Sequence, residues 1–235
     1  MSALSFPGRA SFLLLASTGL TACVRVQVRG GASEAYAQSS LGGLDLAVVV
    51  EAPILSESLE VGSTLGEGDA RRAVQKLLCD SVSDAIRAQT ALGRIACAEP
   101  EISPELVSWK REAGSEPPVS VRAPKLGERV DFGISSFDLV LFASELSAEQ
   151  VVTPRALYAP DAPGSATAHQ VGTTDDVTLN VRASFALWDN RTGTVVSLGT
   201  AKVEVIRPKT LDREAWTIVA RVLARSVLKV SPPMK

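Results

Sequence analysis

The stretch 176–206 predicts two long strands joined by a tight turn, and it constrains the fold more than any other part of the chain. Apolar and polar residues alternate in its first half, which is typical of a strand with one buried face; the apolar set is Val177, Leu179, Val181, Ala183, Phe185 and Leu187. The turn 189–193 contains Asp and Asn, which bond their own backbone, and a Gly that tolerates positive φ, as a short loop with a bulge requires. Because a hairpin alone is only marginally stable in water, other segments must cover its apolar face.

The composition is that of a globular protein. The chain has 235 residues, of which 46% are hydrophobic and 21% charged, so it can bury a core of useful size. Its formal net charge of −2 provides no basic surface for nucleic acid. We therefore expect no nucleic-acid partner.

The N-terminus predicts export rather than a folded element. Arg9 precedes an apolar run that is too short to cross a bilayer, and the sequence Leu20-Thr21-Ala22-Cys23 follows. This motif resembles a bacterial lipobox, which implies a signal peptide over residues 1–22 and acyl chains on Cys23. Acyl chains would anchor the protein to a membrane without a transmembrane segment. The alternative is an ordinary secretory signal in which the Cys is incidental. In lipoproteins of double-membrane bacteria an Asp directly after the Cys often retains the protein at the inner membrane, so Val24 favours the outer membrane.

Two cysteines remain after Cys23, and their number fits an oxidising compartment. A disulfide between Cys79 and Cys97 would close a loop of about twenty residues and contribute about 3 kcal/mol. Two buried free thiols are the main alternative. A metal or redox role is a remote one, because the spacing is not Cys-x-x-Cys and no His lies nearby.

Along the chain, the pattern predicts a single domain over residues 44–230. Residues 23–43 contain a short Val/Arg alternation and then a Gly/Ala/Ser-rich run, which favours a lipidated N-terminus and flexible tether. The predicted elements are a central strand at 44–50, a helix capped by Asp69, a short helix at 102–109, a brief strand at 119–121, an apolar strand at 137–143, a long loop at about 147–175 and a last helix capped by Thr210. The expected fold class is α/β (α+β): a mixed β-sheet with a long C-terminal hairpin and helices packed against one face.

Residues with catalytic or metal-binding chemistry are sparse. His169 is the only candidate general base, and it stands in the predicted loop with no acid at a revealing spacing, so we expect it to be exposed and non-catalytic. The glycine-rich stretch 62–68 lacks the Lys-Ser/Thr ending of a phosphate-binding loop. We expect no catalytic residue, no metal and no cofactor. Trp188 and Trp109 are the candidates for a partner-binding surface, with a place at the edge of the core as the alternative.

A family resemblance rests on two segments, the apolar strand at 137–143 and the turn Trp188-Asp189-Asn190-Arg191-Thr192-Gly193-Thr194-Val195-Val196. Together with the first strand, the helix after it and the closing helix, they resemble envelope lipoproteins related to the amino-terminal domain of TolB, a group that includes CsgG-like, PelC-like and LpoB-like proteins. The resemblance implies a periplasmic lipoprotein that serves a secretion, polysaccharide-export or cell-wall assembly by binding a protein partner. The alternatives are an auxiliary lipoprotein of a lipid-transport ABC system, a carrier of a small apolar ligand, and a hydrolase with a loop lid.

Overall fold

The computed structural model describes residues 23–57, 59, 69–113, 116–160, 168–208 and 213–234. The predicted signal peptide, the glycine-rich stretch 62–68 and Thr210 lie outside the described residues. In chain order the elements are β1 (Cys23–Ala32), β2 (Leu46–Val50), β3 (Ile54–Leu55), α1 (Ala70–Arg87), β4 (Ile95–Cys97), β5 (Leu106–Ala113), β6 (Glu116–Pro124), β7 (Leu139–Pro160), β8 (Ala168–Asp189), β9 (Thr194–Pro208) and α2 (Arg213–Val230).

Seven strands form one mixed sheet in the order β1-β9-β8-β7-β2-β4, with β3 beside β7. The pairs β2–β7 and β2–β4 are parallel. For β2 and β4, the helix α1 carries the chain back so that both strands run in the same direction. The pairs β1–β9, β9–β8 and β8–β7 are antiparallel. The expected fold class, a mixed sheet with helices, is confirmed.

The predicted hairpin is the centre of this sheet. β8 and β9 are antiparallel neighbours, with a register shift between Leu187 and Trp188 that marks a bulge. Gly193 closes the turn at a φ of 67°, where a side chain would be strained. The apolar set predicted from the alternation of residues 177–187 is buried on the side that faces the helices.

Both helices pack on one face of the sheet, as the sequence predicts. Asp69 caps α1 and accepts hydrogen bonds from the backbone N–H groups of Arg71 and Arg72 at 3.0 and 3.4 Å. The stripes at helical spacing are buried against the sheet: Val74, Leu78, Val82 and Ile86 from α1, and Trp216, Val219, Leu223 and Val227 from α2. These residues form the larger of two cores.

The short helix predicted over 102–109 is wrong, since this segment leads into strand β5. β5 pairs with β6 as a separate two-stranded sheet, and β6 is longer than the brief strand predicted at 119–121. The sequence Ser103-Pro104-Glu105 is a helix-start signal, but such a signal depends only on neighbouring residues. The second face of the main sheet carries apolar side chains that only another layer can cover, and this packing favours strands. Val119, Val121 and Ala123 of β6 supply that cover over Phe142 and Trp188.

The flexible tether predicted over 23–43 is also wrong. Residues 23–32 form β1, an edge strand that pairs with β9 along its whole length. Gly30 allows the backbone of β1 to lie this close to β9, because a Cβ at residue 30 would lie 2.2 Å from the carbonyl oxygen of Leu198. After β1, Leu41 is buried and donates its N–H to the carbonyl oxygen of Pro233 at 2.9 Å, so the chain is fixed to the domain there as well. The strand β1 therefore belongs to the folded domain, which does not begin at residue 44.

The long loop predicted at about 147–175 is wrong as well. β7 and β8 continue as a two-stranded ribbon from the pair Thr153–Asp176 to the pair Pro160–Ala168. We call residues 153–160 and 168–176 the arm. The arm lies beyond the end of β9, where neither of its faces is buried, so no alternation of apolar residues marked it in the sequence.

Candidate functional site

Cys23 lies at one end of the sheet and is exposed as a free thiol. The strand registers place Cys23 opposite Ile206, Ile206 opposite Thr178, and Thr178 opposite Val151. Cys23 is therefore about 14 Å from Val151 across the sheet, at about 4.8 Å per strand. The base of the arm and the predicted acylation site share one row of the sheet.

The arm presents apolar side chains to solvent. Leu157, Tyr158 and Val171 are 44%, 66% and 56% exposed. Near the base, Arg155 and Asp176 form an ion pair at 3.9 Å across the two strands. His169, the predicted exposed histidine, is exposed near the outer end of the arm, opposite Ala159.

The disulfide expected between Cys79 and Cys97 is present in the structure. It joins α1 to β4 across a sequence separation of 18, with the two Cα atoms 5.5 Å apart. β4 is a three-residue edge strand, so this covalent link holds the shortest edge of the main sheet against a helix.

Trp188 is not a partner-binding residue, which corrects one of the two tryptophan predictions. Its side chain is completely buried, and its indole N–H donates to the carbonyl oxygen of Glu128 at 3.2 Å. It contacts Trp109 edge to face, with ring centroids 6.0 Å apart. Trp109 is half-buried and donates its indole N–H to Pro124 at 2.9 Å. The alternative of a place at the core edge is thus correct for Trp188, and only Trp109 keeps a surface that a partner can touch.

A polar cluster at the β8–β9 turn was not foreseen. The Asp189 side chain is only 1% exposed, and it accepts hydrogen bonds from Arg191 at 2.8 Å and from the Tyr36 hydroxyl at 3.0 Å. Burial raises the pKa of the Asp189 carboxyl, but the hydrogen bonds from Arg191 and Tyr36 lower it by more, so the pKa lies below its ordinary value. The cluster fixes the segment after β1 to the central turn.

Asn190 has a structural role in the same turn. Its side-chain oxygen accepts from the Val130 N–H at 2.7 Å, and its amide donates to the carbonyl oxygens of Val130 and Phe137 at 3.0 and 3.2 Å. An Asn that bonds backbone on both sides holds two chain segments together. These three bonds explain why an Asn stands at position 190 of the turn.

The second face of the main sheet changes character along its length. The half near the β8–β9 turn is apolar and lies under β5 and β6. On the half near Cys23, the described residues form a surface that we call the polar sheet face: Arg25, Arg29, Glu149, Arg182, Lys202 and Glu204. Glu204 pairs with Lys202 at 2.7 Å and with Arg25 at 3.9 Å, whereas Arg182 is exposed.

The space between helices and sheet is too small for a ligand. A cavity of about 20 Å³ lies among Leu78, Leu141, Phe185 and Leu223, with other apolar residues. That is room for about one water molecule. This cavity therefore does not support the alternative of a small apolar ligand carried between sheet and helices.

A wider groove opens beside the β8–β9 turn, with a volume of about 510 Å³. Tyr36, Trp109, Leu126 and Thr194 are among its lining residues. Within the described ranges, no three His, Cys, Asp or Glu side chains come together in a way that could hold a metal ion. No helix among the described residues is both long and apolar enough to span a bilayer.

Comparison with known proteins gives weak likenesses only. No protein-family model and no curated protein matches the chain. Two structures of the PelC dodecamer from Paraburkholderia phytofirmans have TM-scores of 0.29 and 0.31 at 13% and 14% identity, and they cover 86% and 88% of this chain and 96% and 98% of their own. A homologue of the neuraminyllactose-binding hemagglutinin from Helicobacter pylori has a TM-score of 0.32 at 10% identity, and covers 82% of this chain and 83% of its own. At TM-scores this low the likenesses carry no argument about function, and the resemblance to TolB-related lipoproteins stays a prediction.

Proposed function

We propose that this protein is a periplasmic lipoprotein, anchored to a membrane through acylated Cys23, that serves a cell-envelope assembly as a non-catalytic binding subunit. The observation that carries the proposal is the position of Cys23. It follows Leu20-Thr21-Ala22 directly, it is exposed, and it begins the first strand of the fold, so cleavage before it would leave the domain intact. The outer membrane is the proposed location, because Val24 follows the Cys.

The Cys79–Cys97 disulfide supports export independently of the lipobox. Disulfides persist in oxidising compartments such as the bacterial periplasm and are rare in the cytosol. The bond also lies far from Cys23 in sequence, so it does not depend on the same motif.

The polar sheet face is the surface that we assign to the partner. It carries both signs of charge, Arg182 is exposed, and none of its six side chains belongs to either of the two apolar cores. Four basic and two acidic side chains in one surface favour a protein partner with a complementary pattern of both charges. The partner is thus expected to be a protein of the same envelope compartment.

Acylation is tested by mass spectrometry of the mature protein from membranes. The expected result is a chain that begins at Cys23 and carries acyl chains, while Cys23→Ser abolishes the modification and releases the protein from membranes. An unmodified mature N-terminus at any residue would refute the anchor.

Partner binding is tested by crosslinking in membranes followed by affinity purification. Arg182→Glu should reduce recovery of the crosslinked partner, since it reverses a charge in the polar sheet face. Arg225→Glu makes the same charge change at an exposed position of α2, and should leave recovery unchanged. Equal recovery with both variants would remove the partner from this face.

A further inference from the structure

The register between Cys23 and the arm has a consequence for how the domain meets the membrane. From Cys23, β1 runs in one direction along the sheet. From Val151, in the same row, β7 runs in the opposite direction toward Pro160. The arm therefore projects from the end of the sheet at which Cys23 lies. No described linker separates Cys23 from the sheet, because Cys23 is itself paired.

The arm is long enough to reach deep into lipid from the row of the sheet that contains Cys23. From Thr153 to Pro160 it spans about 24 Å at about 3.4 Å per residue. An upright sheet with Cys23 at the lipid surface would push this ribbon most of the way through a hydrocarbon layer of about 30 Å. An arm that reaches the lipid either inserts or lies along the surface.

Insertion is excluded by the backbone of the arm. Among the described residues, no third strand pairs with the arm beyond Thr153 on the β7 side or beyond Asp176 on the β8 side. In hydrocarbon, unpaired N–H and C=O groups cost several kcal/mol each, so open sheet edges do not occur there. The Arg155–Asp176 ion pair near the base adds to this cost.

One face of the arm suits the headgroup region. Strand alternation places Val152, Pro154, Ala156 and Tyr158 on a single face of β7, and none of these side chains is charged. Asp175 stands opposite Pro154 near the base, so the outer half of this face is the part without charge. Tyrosine, with an apolar ring and a polar hydroxyl, is enriched at the boundary between lipid and water.

We propose that the outer half of the arm, centred on Tyr158, lies in the interfacial region of the membrane that holds Cys23. This inference rests on the proposed acylation of Cys23. Cys23 and Tyr158 are about 14 Å apart across the strands and about 24 Å apart along them. The domain therefore touches the bilayer at two points rather than one.

A tryptophan introduced on the arm can report this contact. The acylated protein carrying Tyr158→Trp is reconstituted into phosphatidylethanolamine/phosphatidylglycerol vesicles, with and without lipids brominated near the headgroup end of the acyl chain. The parent protein, with its own three tryptophans, gives the signal to subtract. Leu126→Trp is the matched control, because Leu126 is 70% exposed and lies beside Gly193 at the opposite end of the sheet.

The expected result is that the emission added by Tyr158→Trp shifts to the blue and is lost in brominated vesicles, while the emission added by Leu126→Trp is unaffected. Flotation of the same vesicles separates the two proposals. If the acylated parent fails to float, the anchor is refuted. If it floats and bromine does not quench Tyr158→Trp, or quenches both variants equally, the anchor stands and the contact of the arm with lipid is refuted.

Discussion

Reduction of the Cys79–Cys97 disulfide should lower the free energy of unfolding by about 3 kcal/mol. The bond closes a loop with a sequence separation of 18. In the chain-entropy description, a loop of that size removes about 11 cal/mol/K from the unfolded ensemble, or about 3 kcal/mol at 25 °C. The native structure should survive, because Ile95 of β4 and Val82 of α1 belong to the same buried core as the disulfide.

Urea unfolding followed by the fluorescence of buried Trp188 and Trp216 measures this loss. A Cys23→Ser chain without residues 1–22 avoids both the lipid and the free thiol. At an m-value of about 2–3 kcal/mol/M, the reductant should lower the midpoint by about 1–1.5 M. A matched variant with Cys79→Ala and Cys97→Ala should not respond to reductant. A midpoint shift below about 0.3 M, with both thiols shown to be free, would refute the entropic account of this bond.

Three further predictions concern the ends and edges of the sheet. Asp189→Asn should flatten the fall of the urea midpoint below about pH 4. The folded-state pKa of Asp189 is depressed, so its carboxylate contributes stability that is present above the unfolded pKa of about 3.9 and is lost as the pH falls through the folded value. An unchanged pH profile would contradict this. Trp188→Ala should cost about 3–5 kcal/mol in urea unfolding and Trp109→Ala clearly less, since only the first is completely buried; equal losses would be inconsistent with the structure. Gly30→Ala should speed hydrogen exchange across β1 and β9 more than Gly43→Ala, because both have positive φ but only the Cβ added at residue 30 meets backbone, at 2.2 Å; equal rates would argue against that close approach.

The sequence predicted those parts of the fold in which side chains alternate against a buried face. The residues 177–187 and the stripes of α1 and α2 face the larger core, and burial forces apolar residues to recur at two or at three and four. The cap at Asp69 was equally visible, because a cap depends on neighbours within one turn of helix. At these places the preferences of neighbouring residues and the packing of the folded domain favour the same secondary structure.

Two of the three errors concern segments whose packing partners lie far away in sequence, and the third concerns a ribbon that buries neither face. The pairing of β1 is with β9, almost two hundred residues later, so its Gly-rich end looked like a linker. β5 follows a helix-start signal, but it packs on Trp188 from another layer. The arm buries neither face, so strand pairing left no periodic trace around residues 153–160.

The candidate site was predicted only in its covalent features. The Cys79–Cys97 pair follows from spacing and compartment and is present in the structure, whereas the acylation of Cys23 stays a prediction. The polar sheet face depends on which residues four strands, β1, β7, β8 and β9, bring together. Asp189 was assigned to a turn, and nothing near it in sequence indicated the hydroxyl of Tyr36 as its partner. A sequence separation of 153 residues lies between those two groups.

The pairing of Cys23 within the sheet changes what an acyl anchor does to this protein. A flexible tether would let a domain rotate above the membrane and sample partners over a wide range. In the proposed lipoprotein the first residue of the mature chain, Cys23, is already paired with Ile206 in the sheet. The far end of β1 is followed by Tyr36, which is fixed to the central turn by its bond to Asp189. Rotation about Cys23 therefore turns the whole domain, and contact of the arm with lipid would stop that rotation. The proposed anchor and arm contact would thus present the polar sheet face at one height and in one direction, and we expect its partner to be another component close to the same membrane.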